Sequence, residues 1–317
     1  MLSLSLSLSL TSFEFQKFVL NSKIIWLNLK EMLFSVDCAA IISSLQLAYW
    51  ISVILSTIAA VVVPEIRNWH RYGKLREGTE RASWLDSFTV SKRWFILFYA
   101  FGLAWSFALL LTRSLIAEMT LEWLRICREP VKDFSSFHPI PMIVFVIHLV
   151  RRFVEEFISP PSDARMHFSA FLVGVSFYGF IPLALVDTKN ADGDNDDVGY
   201  RSLSLGLALF FWGSYHQWKC HQILRKLRQR SSVYGFPHGD WFTYSSSPHY
   251  FAEMVIYLGL AFVSTAFQSL PTPYVLGMVF TVLNLSVTGA RTHDWYLQKF
   301  GVDYAKESRW KVIPFVF

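Results

Sequence analysis

The sequence predicts an all-α membrane protein with about seven transmembrane helices, and three properties of its composition lead to that class. Hydrophobic residues make up 53% of the 317-residue chain, and charged residues only 17%, whereas soluble domains average about 25% charged residues. The mean hydropathy is +0.35. Aromatic residues are abundant, with 29 Phe, 13 Tyr and 12 Trp. A soluble domain of this composition would lack the polar residues needed to cover its surface.

Seven mainly apolar segments have lengths close to the roughly 20 residues that a helix needs to cross the hydrocarbon layer. The first contains no charged residue, and the second lies between Arg93 and Arg113. The third and fifth are mixed, because each begins apolar and continues into polar residues. The predicted spans are residues 45–63, 94–112, 138–157, 167–186, 202–219, 250–269 and 273–290.

The distribution of Lys and Arg predicts how these helices are oriented, because cytosolic loops are enriched in both residue types. If seven spans alternate, the connecting segments on one side carry 20 Lys and Arg and those on the other side carry 9. We therefore predict a cytosolic C-terminus and a lumenal N-terminus. The segments of the basic side are residues 64–93, 151–166, 219–249 and 291–317.

The third predicted helix carries a group of ionisable residues, which are costly inside a membrane and mark candidate sites. His148, Arg151, Arg152 and Glu155 follow helical spacing and therefore share one face. Two interpretations are open. The face is either a membrane-interface anchor with arginines that reach the headgroups, or a buried polar face that meets an anionic ligand from the cytosol.

The fifth predicted helix carries a second polar group. Gln217, His221 and Arg228 lie within about 40° of one another on a helix of 3.6 residues per turn. A simple basic anchor at the cytosolic surface is the alternative to a binding face. Cys220 lies between His216 and His221 in the sequence, but the two histidines point to different faces, so we expect no metal site.

A third group lies in the loop after the fifth helix and at the ends of the last two helices. It includes Tyr234, His249, Glu253, His293 and Tyr296. Aromatic and histidine side chains that face basic helices favour a nucleotide, because arginine pairs bidentately with phosphate. The chain has neither a Gly-x-Gly-x-x-Gly nor a Gly-Lys-Ser/Thr motif. A bound nucleotide must therefore be held by side chains of the helix bundle.

The C-terminal segment resembles the C-terminal signature of the steroid 5α-reductase family. The resemblance lies in residues 292–300 and in residues 310–317, which end in Ile313-Pro314-Phe315-Val316-Phe317. Shorter segments extend it, in order and spacing, over about residues 65–317, and the match is closest to the polyprenol-reducing branch of the family. The supporting segments are residues 71–74, 88–95, 148–152, 216–224, 237–242 and 247–253.

The resemblance implies a membrane reductase of the endoplasmic reticulum that uses NADPH. Its partners would be a polyisoprenoid lipid substrate and the surrounding membrane lipids, with no nucleic acid. We expect residues 1–40 to be poorly ordered or interfacial and residues 41–317 to form one reductase domain, in which about 148–317 form the NADPH-binding part.

Carried over by position, the family's functional residues fall mainly on the polar groups described above. His148 and His293 are the predicted catalytic residues. In steroid-reducing members a Tyr occupies the position of His148, and a Glu lies where this chain has residues 84–86, which contain no Glu. These two departures argue against a steroid substrate. The predicted cofactor-binding residues are Arg151, Arg152, Gln217, His221, Arg228, Tyr234, His249, Glu253 and Tyr296.

The chemistry of hydride addition favours an aldehyde as the species that is reduced. A hydride adds readily to a carbon–carbon double bond when the developing negative charge can move to a conjugated carbonyl oxygen, where an acid group stabilises it. The allylic alcohol polyprenol offers no such acceptor. We therefore predict reduction of the α-isoprene unit of polyprenal, on the route from polyprenol to dolichol and hence to protein N-glycosylation. The alternatives are a trans-2-enoyl-CoA or sterol reductase of the same fold, a non-catalytic lipid-binding protein, and a membrane methyltransferase.

Overall fold

The computed structural model describes residues 38–63, 75, 87–119, 138–160, 164–186, 196–230, 235–267 and 269–317. These residues are mostly helical, which confirms the predicted all-α class, and each predicted span overlaps one long helix. Of the predicted N-terminal segment 1–40, only the start of the first helix lies within the described residues. The helices are α1 (Cys38–Val62), α2 (Phe95–Met119), α3 (Ile140–Phe157), α4 (Phe168–Val186), α5 (Asp196–Arg230), α6 (Pro248–Thr265), α7 (Thr272–Phe300) and the short α8 (Val302–Ala305).

Four of these helices are long and apolar enough to cross a membrane by length and composition: α1, α2, α4 and α7. Helix α3 does not meet that criterion because four charged residues interrupt its second half. Helix α6 begins with His249 and Glu253, which lower its hydropathy, and the second half of the predicted span in α5 contains the polar residues His216, Gln217 and Lys219. The chain is therefore a membrane protein with four candidate spans among the described residues, and seven spans remain a prediction.

Side-chain contacts show that the helices run alternately up and down. Ser202, near the start of α5, donates a hydrogen bond of 2.8 Å to the carbonyl oxygen of Phe262 near the end of α6. Gln217, further along α5, reaches Glu253 near the start of α6, so these helices are antiparallel. Helices α1 and α7 run parallel, because Trp50 packs at Gly277 and Arg291 donates to the Ala60 carbonyl oxygen at 2.8 Å.

This alternation brings the ends of the odd-numbered helices and the starts of the even-numbered helices to one end of the bundle, which we call the polar end. Tyr99 near the start of α2 contacts Arg152 near the end of α3 there. A two-stranded antiparallel ribbon, β1 (Thr89–Ser91) and β2 (Arg165–His167), joins the starts of α2 and α4 at the same end. The described parts of the segments predicted to be cytosolic lie at this end, and the side of the membrane that it faces remains a prediction.

Helices α5 and α6 approach each other closely because glycines lie at their contact. A Cβ atom added to Gly206 would lie 2.6 Å from the backbone nitrogen of Val263, and one added to Gly213 would lie 2.9 Å from the Ile256 side chain. Small residues at such positions let helix backbones come together in membranes. The close approach fixes the position of Gln217 on α5 relative to α6.

Candidate active site

A cavity of about 450 Å³ opens at the polar end of the bundle. This volume lies in the usual range for small-molecule sites, which combine an apolar lining with a few polar groups. Its wall contains residues from each of the helices α1 to α7, although α3 contributes only Arg152. Met166 of β2 completes the wall. Its polar part is lined by Arg152, Gln217, His221, His249 and Glu253, and its aromatic part by Phe95, Phe98, Tyr99, Phe177, Tyr178, Tyr257 and Phe280.

Glu155 is the centre of an ionic network behind the polar part of the cavity. Its carboxylate is buried and lies 2.5 Å from the guanidinium groups of both Arg151 and Arg152, one turn earlier on α3. The Nδ1 atom of His221 lies 2.6 Å from the same carboxylate. Arg152 also donates a hydrogen bond of 2.8 Å to the Tyr99 hydroxyl. The network therefore joins α2, α3 and α5.

Gln217 connects this network to α6. Arg151 donates to the Gln217 side-chain oxygen, while the Gln217 side-chain nitrogen donates to the Glu253 carboxylate and, at 3.3 Å, to the His249 backbone carbonyl oxygen. The oxygen of the amide thus accepts a hydrogen bond from the Arg151 cation, and its nitrogen donates one to the Glu253 anion. Gln217 is 2% exposed, so it acts as a fixed spacer between an arginine and a glutamate.

His148 is buried next to Arg151 and Glu253 of the same network. Its Nδ1 atom lies 3.3 Å from a guanidinium nitrogen of Arg151. A guanidinium only donates hydrogen bonds, so Nδ1 accepts and the neutral ring carries its proton on Nε2. That nitrogen lies 3.3 Å from the Glu253 carboxylate, without the geometry of a hydrogen bond. His148 is 1% exposed and does not line the cavity, so in this structure it contacts Glu253 and not the cavity space.

The charges of this network compensate one another. Two guanidinium groups, Arg151 and Arg152, lie among two carboxylates, Glu155 and Glu253. Buried charges are stable only when they are paired in this way. The two arginines are therefore already neutralised by protein groups. Arg228 is exposed, two turns beyond His221 on α5, and lies outside the network.

The other predicted residues form a separate cluster under the C-terminal segment. His293 Nδ1 lies 2.6 Å from the Ser246 hydroxyl, which also accepts a hydrogen bond of 2.5 Å from the Tyr304 hydroxyl. The Tyr296 ring packs 5.0 Å from the Tyr304 ring. Neither His293 nor Tyr296 lines the cavity. This cluster ties α7, α8 and the loop before α6 together.

The structure thus brings nine of the predicted residues to two places, seven at the network and cavity and two in the cluster under the C-terminal segment, and adds several that the sequence analysis did not select. Tyr234 and residues 84–86 lie outside the described residues. Tyr99, Tyr178 and Tyr257 line the cavity and were not predicted. Tyr257 follows Glu253 by four residues, and this one-turn spacing could have identified it. Tyr99 and Tyr178 gave no such signal, because each lies in an apolar span.

Comparison with known proteins gives consistent matches. The family model described as 3-oxo-5-alpha-steroid 4-dehydrogenase matches residues 168–317. A protein of Xenopus tropicalis named polyprenal reductase is 33% identical over 272 residues, which cover 78% of this chain and 86% of the relative. The human polyprenal reductase is 32% identical, over 78% of this chain and 84% of its own length. Polyprenal reductase 1 of Oryza sativa subsp. indica is 35% identical over 55% of this chain and 58% of its own length.

Proposed function

The chain belongs to the steroid 5α-reductase family, and on that premise we propose that it is the NADPH-dependent oxidoreductase that saturates the α-isoprene double bond of polyprenal on the route to dolichol. The observation that carries this proposal is the cavity in which an ionic network adjoins an aromatic wall. The relatives named polyprenal reductase align over most of this chain. We further propose that the protein resides in the endoplasmic reticulum membrane, where a polyprenyl lipid is accessible from the bilayer.

The residues of the polar part fit the reactive end of a nicotinamide cofactor. A carboxamide has donors and acceptors that require partners of both kinds, and we propose that the Glu253 carboxylate and the His221 ring supply them at the cavity wall. Gln217 holds the carboxylate through a hydrogen bond, and His148 lies next to it. When bound there, NADPH supplies a hydride. We propose that these residues orient it, since the cofactor itself carries the chemistry.

The phosphate groups of the cofactor require cations that are not already compensated. Arg151 and Arg152 share their charges with Glu155, so we assign them to the architecture of the site. Arg228 is exposed toward the polar end of the bundle and acts electrostatically on Lys92 at the start of α2. We propose that Arg228 pairs with a phosphate of NADPH. The NADPH-binding part then comprises about residues 148–317, with a contribution from the start of α2.

We propose that His148 and His293 contribute to activity through neighbouring groups. His148 lies 3.3 Å from the Glu253 carboxylate and limits where that carboxylate can lie. His293 binds Ser246, in the loop that leads into His249 and α6. The His293 interaction therefore supports the segment from which Glu253 projects. Both histidines are positioning residues in this proposal.

The aromatic part of the cavity suits the first isoprene units of a prenyl chain. Phe98, Phe177 and Phe280 present apolar surface there, and aromatic rings give large apolar contact areas. The remaining isoprene units of the prenyl substrate would lie in the lipid bilayer. Placing the head group next to the ionic network brings the conjugated carbonyl close to the site proposed for the nicotinamide.

The proposal is tested by supplying purified protein in detergent with NADPH and either polyprenal or polyprenol. We expect oxidation of NADPH and formation of the α-saturated aldehyde with polyprenal, and no turnover with polyprenol, since only the aldehyde accepts the developing charge. A trans-2-enoyl-CoA and a 3-oxo-Δ4-steroid serve as competing substrates. Faster turnover of either one would reject the assignment.

A further inference from the structure

Tyr257 is a residue of the cavity wall whose buried hydroxyl group the proposed cofactor site does not use. Tyr257 lies one turn after Glu253 on α6, is 2% exposed and lines the cavity. Its hydroxyl forms no hydrogen bond with any residue in the part of the chain that the structure describes. Buried polar groups are nearly always hydrogen-bonded, so an unpaired hydroxyl at a cavity indicates a missing partner.

The two other tyrosines of the cavity differ from Tyr257 in this respect. The Tyr99 hydroxyl accepts a hydrogen bond of 2.8 Å from Arg152 and also interacts with the hydroxyl of Tyr178. The Tyr257 ring packs edge-on against Phe177, with 5.8 Å between centroids, and Glu253 acts electrostatically on its hydroxyl. Tyr257 therefore lies between an aromatic residue of the cavity and the ionic network, with a buried hydroxyl that has no partner among the described residues.

We propose that Tyr257 is a catalytic residue that donates a hydrogen bond to the aldehyde oxygen of the substrate, an inference that rests on the proposed function. The β-carbon of the enal accepts a hydride from NADPH. The π electrons of its double bond form a new bond between the α-carbon and the carbonyl carbon, and the carbonyl π pair moves to the oxygen. The Tyr257 O–H group stabilises this oxyanion. A proton from water then adds to the α-carbon, the carbonyl re-forms, and the products are the saturated aldehyde and NADP⁺.

His148 is less well placed for this task. Its proton-bearing nitrogen lies 3.3 Å from the Glu253 carboxylate, and its ring packs edge-on against Tyr257, with 6.0 Å between the two ring centroids. Only Tyr257 of the pair lines the cavity. The structure therefore assigns the donor to the tyrosine and leaves the histidine as a support for Glu253.

The test uses full-length protein in detergent, with polyprenal and NADPH. Tyr257→Phe is expected to lower kcat by about 10²-fold or more, as loss of one oxyanion donor does, while the Kd for NADPH changes less than twofold. Tm should stay constant or rise, because the removed hydroxyl has no hydrogen-bond partner among the residues that the structure describes. Tyr49→Phe is the matched control, since that hydroxyl bonds Ser176 at 2.9 Å and the residue does not line the cavity. Its kcat should change less than twofold.

The outcomes separate this inference from the proposed function. Failure of the wild-type protein to reduce polyprenal would overturn both. Normal polyprenal reduction with a kcat for Tyr257→Phe within threefold of wild type would overturn the inference alone, as would a lowered Tm with loss of NADPH binding. In addition, 3-fluorotyrosine incorporated at position 257 keeps the ring and hydroxyl and should recover most of the kcat. A kcat that remains at the level of Tyr257→Phe would also reject the role.

Discussion

Gly206 of α5 and Gly259 of α6 face each other at backbone contact. A Cβ atom added to Gly259 would lie 2.7 Å from the Gly206 carbonyl oxygen and 2.6 Å from the Phe210 backbone nitrogen. Both atoms belong to the backbone and cannot rotate away. This contact lies near the middle of the helix pair that carries Gln217 on one side and Glu253 on the other, so the geometry of the site depends on it.

Replacing Gly259 with alanine should therefore weaken both the fold and the site. We expect Gly259→Ala to lower the free energy of unfolding by about 1–3 kcal/mol through overpacking, and to raise the Kd for NADPH because Gln217 and Glu253 are pushed apart. Gly179→Ala is the control, since its Cβ would lie 3.6 Å from Phe101, an ordinary contact. Thermal unfolding and NADPH titration of both variants check the prediction. Equal behaviour of the two variants would contradict it.

Glu155→Ala should be among the most destabilising single changes at the site. The substitution leaves the buried guanidinium groups of Arg151 and Arg152 without their shared carboxylate, and breaking a buried ion pair in this way costs about 3–5 kcal/mol. Glu156→Ala, at the adjacent and more exposed position, is the matched control and should cost far less. Denaturation in detergent measures both. A loss for Glu155→Ala no larger than that of its neighbour would show that the network is not buried as described.

His148→Phe should separate a positioning role from direct proton donation. If His148 supports Glu253, as the 3.3 Å contact indicates, the variant should raise the Kd for NADPH together with any loss of kcat. His148→Gln, which can still donate to Glu253, should recover part of the cofactor affinity. The measurements are NADPH binding and steady-state kinetics. A 10²-fold fall in kcat with unchanged NADPH affinity would instead identify His148 as the donor.

The proposed phosphate contact predicts a preference for NADPH over NADH. Arg228→Ala should raise the KM for NADPH by about fivefold, since an exposed ion pair contributes up to about 1 kcal/mol, with little change in the KM for the lipid. Lys226→Ala removes an exposed cation two residues away, on the opposite face of α5, and should have a smaller effect. Kinetics at low and high salt measure both, because screening weakens exposed pairs. Equal catalytic efficiency with NADPH and NADH would refute the preference.

The Lys and Arg distribution also predicts topology. A tag placed after Phe317 should be cleaved by protease in intact, right-side-out microsomes, because the C-terminal segment belongs to the basic set of connecting segments. A tag inserted in the acidic segment 187–200 should resist cleavage until detergent is added, because this segment is predicted to be lumenal. Protection of the C-terminal tag would reverse the predicted orientation of the whole bundle.

The sequence by itself determined the class of protein, the family and the positions of the long helices that the structure describes. Hydropathy has a length scale set by the bilayer, so apolar segments could be located without any knowledge of packing. Helical periodicity also placed His148, Arg151 and Arg152 on one face of α3, where the structure finds them. The resemblance based on residues 292–300 and 310–317 is confirmed by the family model and by the relatives named polyprenal reductase.

Only the tertiary structure decided which residues share a cavity and which do not. The network around Glu155 includes residues of three helices, since Arg151 and Arg152 lie on α3, His221 on α5 and Tyr99 on α2. Spacing along one helix contains no information about such contacts between helices. Tyr99 and Tyr178 could not be distinguished from other apolar-span aromatics in the sequence. His293 and Tyr296 belong to the C-terminal signature but do not line the cavity. Their face of α7 packs against Ser246 and Tyr304 instead. The sequence shows which side chains are ionisable or aromatic. Only the structure shows that Gln217 of α5 and Glu253 of α6 lie side by side, because glycine contacts bring these two helices together.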